Sequence, residues 1–477
     1  MMRCVEFKFG FVKFLPRKNF QKIYLRSNCF ISHISDIEGN GEKFRKIVKS
    51  TPGLDIGGMG NIMFTNSFDQ FVFGGDAGDK GPNSFGILKS LTLFKSQQPS
   101  RVHLIVGNRE AKMTRIKTEL FDPLAVRNRL LTGKAVRWAP SFPPSSEVEL
   151  VRRRQGLGHG SIADYIAGLS DKECQVIYLR WMLTHTMGCG PIKHGGSIDT
   201  FELFRQEIAH NRGVHTCIVS DTDVTQAVLN EVSPGGCYHK YLHSGVLAVR
   251  IGDTLFIHGA VTEANMGFVP KLSHTIPKLD DWVAELNGWY REQILLWDQS
   301  EPKSAETPPG RSDLIRYLVH NPRSVVTTNW YSHGKLKPLS DTVVGYLTAA
   351  GIRRVVSGHQ PFSDCPLVIR HGDFEVIVND TSMSDPTYEL NNQGTAYSSL
   401  SIQQGNSSNN NSRSAAHLHV VRRTGKVQEL DLSLPANKRL GQFSYSGDSV
   451  EGLIRLDSDG RWVVSQLDGY NVIDKLL

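Results

Sequence analysis

Five short segments of this chain share one pattern, in which an apolar run ends and a metal-capable side chain follows beside a glycine. The clearest segment is 71–82, where Phe-Val-Phe-Gly-Gly leads into Asp76 and, three residues later, Asp79. The other four segments are 35–40, 107–110, 257–260 and 357–361. Parallel-rich α/β sheets place their binding sites at the carboxyl ends of strands. The five segments are therefore expected to converge at one edge of such a sheet.

The order of elements in the first part of the chain supports an α/β fold. Strands are predicted over 28–36, 68–73 and 101–106, with helices following Gly41 and over 83–94. This β-α-β-α-β order is typical of a layered α/β core.

The pattern changes after Glu110, where the chain becomes helix-rich and irregular. Helical periodicity is seen over 162–169, 171–183 and 201–210. Strands return at 245–251 and 254–257, which predict a hairpin. Further on, the pattern predicts a helix at 339–350 and strands at 353–356 and 374–378.

These patterns divide the 477 residues into a core interrupted by one insertion. The predicted parts are a basic leader (1–27), a core (28–110 and 245–400), a helical cap (111–244), a low-complexity disordered loop (403–413) and a β-rich C-terminal extension (416–477).

Charge and cysteine content limit the partners and the compartment. Residues 1–30 carry seven Lys and Arg against one Glu, so almost all of the net charge of +7 lies in the leader. The remainder is nearly neutral, and nucleic acid is not expected as a partner. No apolar run reaches the ~18 residues of a membrane span. Seven cysteines without a Cys-x-x-Cys pair favour a reducing compartment, expected to be the cytoplasm. The basic leader leaves mitochondrial targeting as the alternative.

The motifs, taken in chain order, resemble the calcineurin-like metallophosphoesterase superfamily. They read Asp36-x-Glu38, Gly75-Asp76-x-x-Asp79, Gly107-Asn108-Arg109-Glu110, His258-Gly259 and Gly358-His359. The pattern of that family is Asp-x-His, Gly-Asp-x-x-Asp, Gly-Asn-His-Glu/Asp, His, and Gly-His-x-His. The closing Ser-Gly-His-Gln-Pro is more similar to the protein-phosphatase and diadenosine-tetraphosphatase branch. The resemblance covers about 28–110 and 245–385 and implies a layered β-sandwich core flanked by helices.

The resemblance implies a dinuclear metal site. Asp76 matches the bridging carboxylate, and Asp36 and Glu38 would hold the first cation. Asn108, His258 and His359 would complete the coordination of the second cation. Two divalent cations about 3.5–4 Å apart can generate a nucleophile from water and clamp phosphoryl oxygens. Mixed oxygen and nitrogen ligands suit Mn, Mg, Fe or Zn, with Mn favoured.

Three substitutions depart from the family pattern, and the third, Pro361 in place of the last histidine of Gly-His-x-His, is shared with the protein-phosphatase-like branch. Glu38 replaces a histidine, and it either ligates the first cation or caps the following helix. Arg109 replaces the histidine that pairs with the second aspartate, here Asp79. A guanidinium cannot act as a general acid, but it can hold phosphate through parallel hydrogen bonds.

The expected catalytic pair is therefore Asp79 and Arg109, with Lys80, Asn108 and Arg109 binding the substrate phosphate. Leaving groups that need little protonation are expected, such as phosphoanhydrides and aryl phosphates. A cap histidine (His159, His185 or His194) is the open alternative for the missing acid.

The sequence thus predicts a metal-dependent phosphoesterase that hydrolyses a phosphate monoester or phosphoanhydride. Its substrate would be a phosphorylated small molecule, a nucleotide or a phosphoprotein. The alternative is a catalytically weak or inactive member of the fold that binds metal or phosphate as an interaction module, because two site positions are substituted.

Overall fold

The structure is a computed structural model. It describes residues 29–58, 60–132, 142–157, 160–187, 199–300, 312–332, 335–336, 339–361, 366–381, 396–403, 414–422, 427–431, 452–456, 462–468 and 471–476. The predicted basic leader and residues 404–413 of the predicted disordered loop lie outside these ranges.

The strands of the described residues are distributed along the whole chain. They are β1 (Phe30–Ile34), β2 (Leu54–Ile56), β3 (Ile62–Phe64), β4 (Gln70–Phe73), β5 (Val102–Ile105), β6 (Gly245–Val246), β7 (Ala248–Ile251), β8 (Thr254–Ile257), β9 (Tyr331–Ser332), β10 (Lys335–Leu336), β11 (Arg354–Ser357), β12 (Leu367–His371), β13 (Phe374–Val378), β14 (Ala396–Gln403), β15 (Ala415–Arg422), β16 (Val427–Asp431), β17 (Gly452–Leu456), β18 (Trp462–Asp468) and β19 (Asn471–Leu476).

The helices of the described residues are concentrated between β5 and β6. They are α1 (Gly41–Ser50), α2 (Ser84–Gln97), α3 (Asn108–Leu120), α4 (Pro123–Thr132), α5 (Pro144–Arg154), α6 (Ile162–Gly168), α7 (Asp171–Trp181), α8 (Thr200–Arg212), α9 (Asp221–Val232), α10 (Cys237–Ser244), α11 (Leu279–Gln299), α12 (Asp313–His320) and α13 (Asp341–Ala349). None of these helices has the length and hydropathy needed to span a bilayer.

Two larger sheets organise the protein, and the predicted α/β class is confirmed. The seven-stranded sheet has the order β16-β15-β14-β1-β4-β5-β6, and the five-stranded sheet has the order β12-β13-β11-β8-β7. Strands β1, β4 and β5 run parallel to one another, as do β8, β11 and β13. Parallel neighbours end at the same edge of a sheet, so each sheet presents three strand ends together.

Most of the predicted elements are present with shifts of a few residues at their ends. The helix α11 was not predicted, although Trp282, Leu286 and Trp289 show the spacing of a buried helical face. Residues 416–422 and 427–431, predicted within the C-terminal extension, belong to strands of the seven-stranded sheet, which β14 connects to β1.

Buried hydrophobic side chains of the described residues form three clusters. One contains residues of both larger sheets, such as Ile31 and Val72 with Phe256 and Ile377. A second joins the seven-stranded sheet to α1, α2 and the helices between β5 and β6. The third surrounds α11 and the five-stranded sheet. Burial of apolar area in these clusters is the main favourable term in folding.

The helical segment between β5 and β6 is tied to the strand-end loops by polar contacts. Thr200 Oγ1, at the start of α8, donates to the backbone oxygen of Asp79 at 2.7 Å. Glu207 of α8 accepts from the backbone N–H of Phe85 at 3.1 Å and of Gly86 at 2.8 Å. A carboxylate at the N-terminus of α2 stabilises that helix and fixes the loop before it.

A histidine occupies a fully buried position on β1. His33 has no exposed surface, and its ring stacks on Phe256 with the ring centroids 5.8 Å apart. Its Nδ1 lies 3.2 Å from Asn379 Nδ2. Burial, followed by the positive field of His258, lowers the pKa of His33 from 6.5 to about 3. The imidazole is therefore neutral in the folded protein.

Resistance to acid should depend on His33. Its folded-state pKa lies below its unfolded value, so its contribution to stability is lost as the pH falls from about 6.5 toward 3. As the pH falls through this range, the free energy of unfolding should decrease more steeply in the wild type than in His33→Gln. The difference between the two slopes should be up to about 1.4 kcal/mol per pH unit. Urea titrations between about pH 7 and pH 4 measure both slopes. His210→Gln, on the exposed side of α8, is the matched control. Identical slopes for His33→Gln and the wild type would contradict the prediction.

Candidate metal centre

The strand ends of both larger sheets meet at one polar site. Asp36, Asp76 and Asn108 follow β1, β4 and β5 of the seven-stranded sheet. His258 and His359 follow β8 and β11 of the five-stranded sheet. Contacts join the two sets directly, because His258 Nδ1 lies 2.7 Å from Gly74 O and His359 N donates to Asp36 at 3.2 Å. The five motifs therefore belong to one site.

Backbone conformation marks the same residues independently of their chemistry. Six non-glycine residues among those described have φ in the left-handed region, and five of them belong to the motifs: Asp36, Glu38, Asp76, Asp79 and His359. Each such conformation costs about 1–3 kcal/mol and persists only where surrounding structure enforces it. Strain concentrated in this way is typical of a functional site.

Two motif glycines are required because a carboxylate oxygen lies close to the Cα atom of each. A Cβ on Gly107 would lie 2.1 Å from Asp76 Oδ1, and a Cβ on Gly358 would lie 2.1 Å from Asp36 Oδ2. Neither space admits a side chain, so these glycines allow the two carboxylates to reach the backbone of neighbouring strand ends.

Potential metal ligands converge around Asp76. One ligand atom from each of Asp76, His258 and His359 lies within 4.8 Å of the other two. Asn108 Oδ1 lies 2.7 Å from His359 Nδ1 and 3.3 Å from His258 Nε2. Because His258 Nδ1 faces Gly74 O, it donates its proton there, and Nε2 is the nitrogen that would face a cation. This set of four residues fits one divalent cation.

The amide of Asn108 has two alternative orientations. With its oxygen toward the imidazoles, it adds an oxygen ligand to the set. Rotated, its nitrogen donates to His359, His258 and Asp76, and its oxygen accepts from Lys112 Nζ at 3.3 Å. The first orientation suits a bound cation, and the second satisfies the same groups by hydrogen bonds alone.

Mutual electrostatics set the charge of this group. Although burial opposes ionisation, His258 and Arg109 hold the pKa of Asp76 well below its usual range. Burial also disfavours the charged form of His258, but the Asp76 carboxylate raises its pKa above the ordinary value. Burial and the field of His258 lower the pKa of His359 to about 3. His359 is therefore neutral, as a metal ligand must be.

Arg109 lies at the centre of a buried ionic network. Its Nη1 is 2.6 Å from Asp79 Oδ1, its Nη2 is 2.6 Å from Glu38 Oε1, and its Nε is 3.3 Å from Asp76 Oδ2. Lys80 Nζ lies 2.9 Å from the same Glu38 oxygen. Two positive side chains thus face three carboxylates, and the five side chains are at most 11% exposed.

The predicted first-cation ligands are placed differently from the second set. Among the described residues, Asp36 and Glu38 belong to no group of three acidic, His or Cys side chains whose ligand atoms lie within 4.8 Å of each other. Asp36 instead accepts from Ser35 Oγ and from His359 N. Burial, then Asp380 and Asp76, raise its pKa well above the ordinary value. Glu38 does not cap α1 either, since Asn40 Oδ1 accepts from Lys43 N at 3.0 Å.

Three site residues received no role from the sequence. Glu110 accepts the backbone N–H groups of Asp76, Ala77 and Gly107 at 2.6–3.0 Å and holds two motifs together. Asp380 follows β13, and its negative charge contributes to the raised pKa of Asp36. Ser35 donates a hydrogen bond to Asp36. The Asn-Asp pair after the strand at 374–378 was a usable signal for Asp380, because it repeats the strand-end pattern.

Of the three cap histidines, His185 alone belongs to the described residues. His185 stacks on Phe142 at 4.7 Å, and its Nε2 lies 3.8 Å from Glu147. His159 and His194 lie outside the described residues.

Comparisons with known proteins add little to this geometry. No protein-family model and no curated protein matches the chain. Among solved structures, it is similar to a protein serine/threonine phosphatase from Saccharomyces cerevisiae with similarity to human phosphatase PP5, at 12% identity, with 82% of this chain and 80% of that chain covered and a TM-score of 0.35. A similarity at that level establishes neither the family nor the chemistry of the site.

Proposed function

We propose that this protein is a metal-dependent phosphoesterase of the calcineurin-like metallophosphoesterase type. The observation that supports this most directly is the convergence of Asp76, His258 and His359, with Asn108, at the ends of parallel strands from two sheets. The proposal includes the layered sandwich arrangement that the resemblance implies, and it is consistent with a hydrophobic cluster shared by both sheets.

The ligand chemistry favours a divalent transition metal. One carboxylate, one amide oxygen and two imidazoles form a mixed oxygen and nitrogen set, which suits Mn, Fe or Zn. When bound, such a cation would polarise a phosphoryl group and acidify water for attack at phosphorus. Manganese is the proposed cation.

The residues beside this set would act on the substrate phosphate. Arg109 and Lys80 place two positive charges next to the ligand group, and Asp79 orients the guanidinium at 2.6 Å. The N–H donors of these two side chains would hydrogen-bond a phosphate and stabilise the negative charge that develops on it. Arg109 cannot donate a proton because a guanidinium stays charged. Esters and anhydrides with good leaving groups are therefore the proposed substrates, whether on small molecules, nucleotides or phosphoproteins.

A second candidate function follows from the pairing of Glu38. Its Oε1 contacts both Lys80 and Arg109, so both positive side chains are already paired in the absence of substrate. This arrangement favours a phosphate- or metal-binding module with weak or no catalysis. The two functions differ in one observable: the module binds metal without turnover.

Hydrolysis by the full-length protein tests the proposal. We expect p-nitrophenyl phosphate to be hydrolysed with Mn²⁺ and not with EDTA, and glycerol phosphate to react at least ~100-fold more slowly because the site lacks a general acid. His359→Ala should lose the metal-dependent rate. Comparable rates on the two esters would contradict the role given to Arg109. Metal binding without turnover of the aryl ester or of a nucleotide anhydride would favour the binding module.

A further inference from the structure

We propose that this centre holds one divalent cation, and that the side chains of Arg109 and Lys80 stand in the place of the other. The inference rests on the proposed function and departs from the dinuclear expectation drawn from the sequence. It assigns the cation to Asp76, Asn108, His258 and His359.

The first step is the unequal fit of the two ligand sets. Asp76, His258 and His359 bring their ligand atoms within 4.8 Å of each other. Within the part of the chain that the structure describes, Asp36 and Glu38 join no such group. A dinuclear centre needs both sets to converge on a shared carboxylate. Only the second set does so here.

The second step is the division of the Asp76 carboxylate. Its Oδ1 faces His258 Nε2 at 3.4 Å and accepts from the backbone N–H of Arg109 at 2.9 Å. Its Oδ2 faces Arg109 Nε at 3.3 Å and lies 3.2 Å from the Asn108 amide. A bridging aspartate would direct one oxygen to each cation, and here a guanidinium lies at the second oxygen. The positive charge beside Asp76 is thus supplied by the protein.

The third step is that the Glu38 carboxylate is already paired with two positive side chains. Its Oε1 contacts Arg109 Nη2 at 2.6 Å and Lys80 Nζ at 2.9 Å, and its side chain is 6% exposed. A cation entering here would have to displace two buried positive groups that lie against their carboxylate partners. It would also approach a guanidinium that cannot lose its charge, and like charges in a poorly solvated site repel strongly.

This arrangement gives Glu38 and Asp36 positioning roles. Glu38 and Asp79 hold the guanidinium from two sides, each at 2.6 Å. Asp36 accepts the backbone N–H of His359 at 3.2 Å and so fixes the strand end that carries a ligand. Loss of the usual histidine at position 38 and gain of arginine at position 109 are then one coupled change, because the new carboxylate pairs with the new guanidinium.

Metal counting on the full-length protein tests the inference. The protein is loaded with Mn²⁺, freed of excess, and analysed by elemental mass spectrometry and electron paramagnetic resonance. We expect one Mn²⁺ per chain with the six-line signal of an isolated ion. Two Mn²⁺ per chain with an exchange-coupled signal would overturn the one-cation centre and leave the phosphoesterase proposal standing. No bound Mn²⁺, Zn²⁺ or Fe²⁺ would overturn both.

Variants locate the cation. His359→Ala should reduce the count from one to zero. The double variant Glu38→His, Arg109→His removes the coupled pair and should raise the count to two. Arg250→His, at an ion pair with Asp280 on another part of the surface, is the matched control and should keep one. A double variant that folds and still holds one cation would overturn the role given to Arg109. The wild-type count and resonance signal decide the number of cations even if the double variant does not fold.

Discussion

Replacing Asp76 with Asn should abolish both metal binding and hydrolysis. The expected loss of activity exceeds the ~100-fold that is typical of changes one shell away from a metal. Asp76 lies in the ligand group with His258 and His359, and its other oxygen contacts Arg109. A neutral amide is a poorer ligand and leaves the buried guanidinium with one fewer anionic partner.

Two measurements on Asp76→Asn separate these effects. Calorimetric titration with Mn²⁺ measures the loss of metal affinity, and hydrolysis of p-nitrophenyl phosphate measures the loss of activity. The matched control is Asp69→Asn, because Asp69 is equally buried just before the same strand β4 and accepts from Phe30 N at 2.9 Å. The control should retain Mn²⁺ binding. Normal Mn²⁺ affinity in Asp76→Asn would exclude the ligand set described above.

Removing the side chain of Glu110 should destabilise the protein more than any surface change. Its Oε2 accepts from Asp76 N and Gly107 N at 3.0 Å, and its Oε1 accepts from Ala77 N at 2.6 Å. Leaving a buried N–H without a partner costs about 1–3 kcal/mol, so Glu110→Ala should lower the free energy of unfolding by at least about 3 kcal/mol. The loops after β4 and β5 would lose their common anchor.

Urea unfolding of the full-length protein measures this loss. Glu42→Ala is the control, because Glu42 forms an exposed pair with Lys46 on α1 and should change stability by less than about 0.5 kcal/mol. Glu110→Gln keeps one oxygen acceptor and should fall between the two. A change below about 1 kcal/mol in Glu110→Ala would show that water or neighbouring groups satisfy the three N–H groups.

Much of the candidate site could be predicted because its signals are local. Each strand ends within two or three residues of its functional side chain, and the glycines that permit the close approach stand in the same short motif. Asp76, Asn108, His258 and His359 were named from these motifs, and the structure brings their side chains together. Their specific roles as ligands stay predictions that the metal titrations test.

Partners separated by long stretches of chain were harder to predict. The motif placed Arg109 opposite Asp79, but its simultaneous contacts with Glu38 and Asp76 depend on packing of three strand-end loops. Glu38 was expected to ligate a cation or cap a helix; Asn40 caps α1, and Glu38 Oε1 contacts Lys80 and Arg109. The pairing of β14 with β1 joins residues about 370 positions apart, and no local pattern encodes that choice.

The sequence by itself determined which side chains stand at the strand ends, because the hydrophobic run, the turn glycine and the polar residue that follows are neighbours in the chain. Only the tertiary structure decided which of those side chains face each other. That choice depends on strand order and on the register between strands, and on which buried charges are close enough to neutralise one another. Here it placed Glu38 and Asp79 against Arg109, and it placed Asp76 against both Arg109 and the two histidines. Asp36 instead accepts from Ser35 and from the backbone of His359.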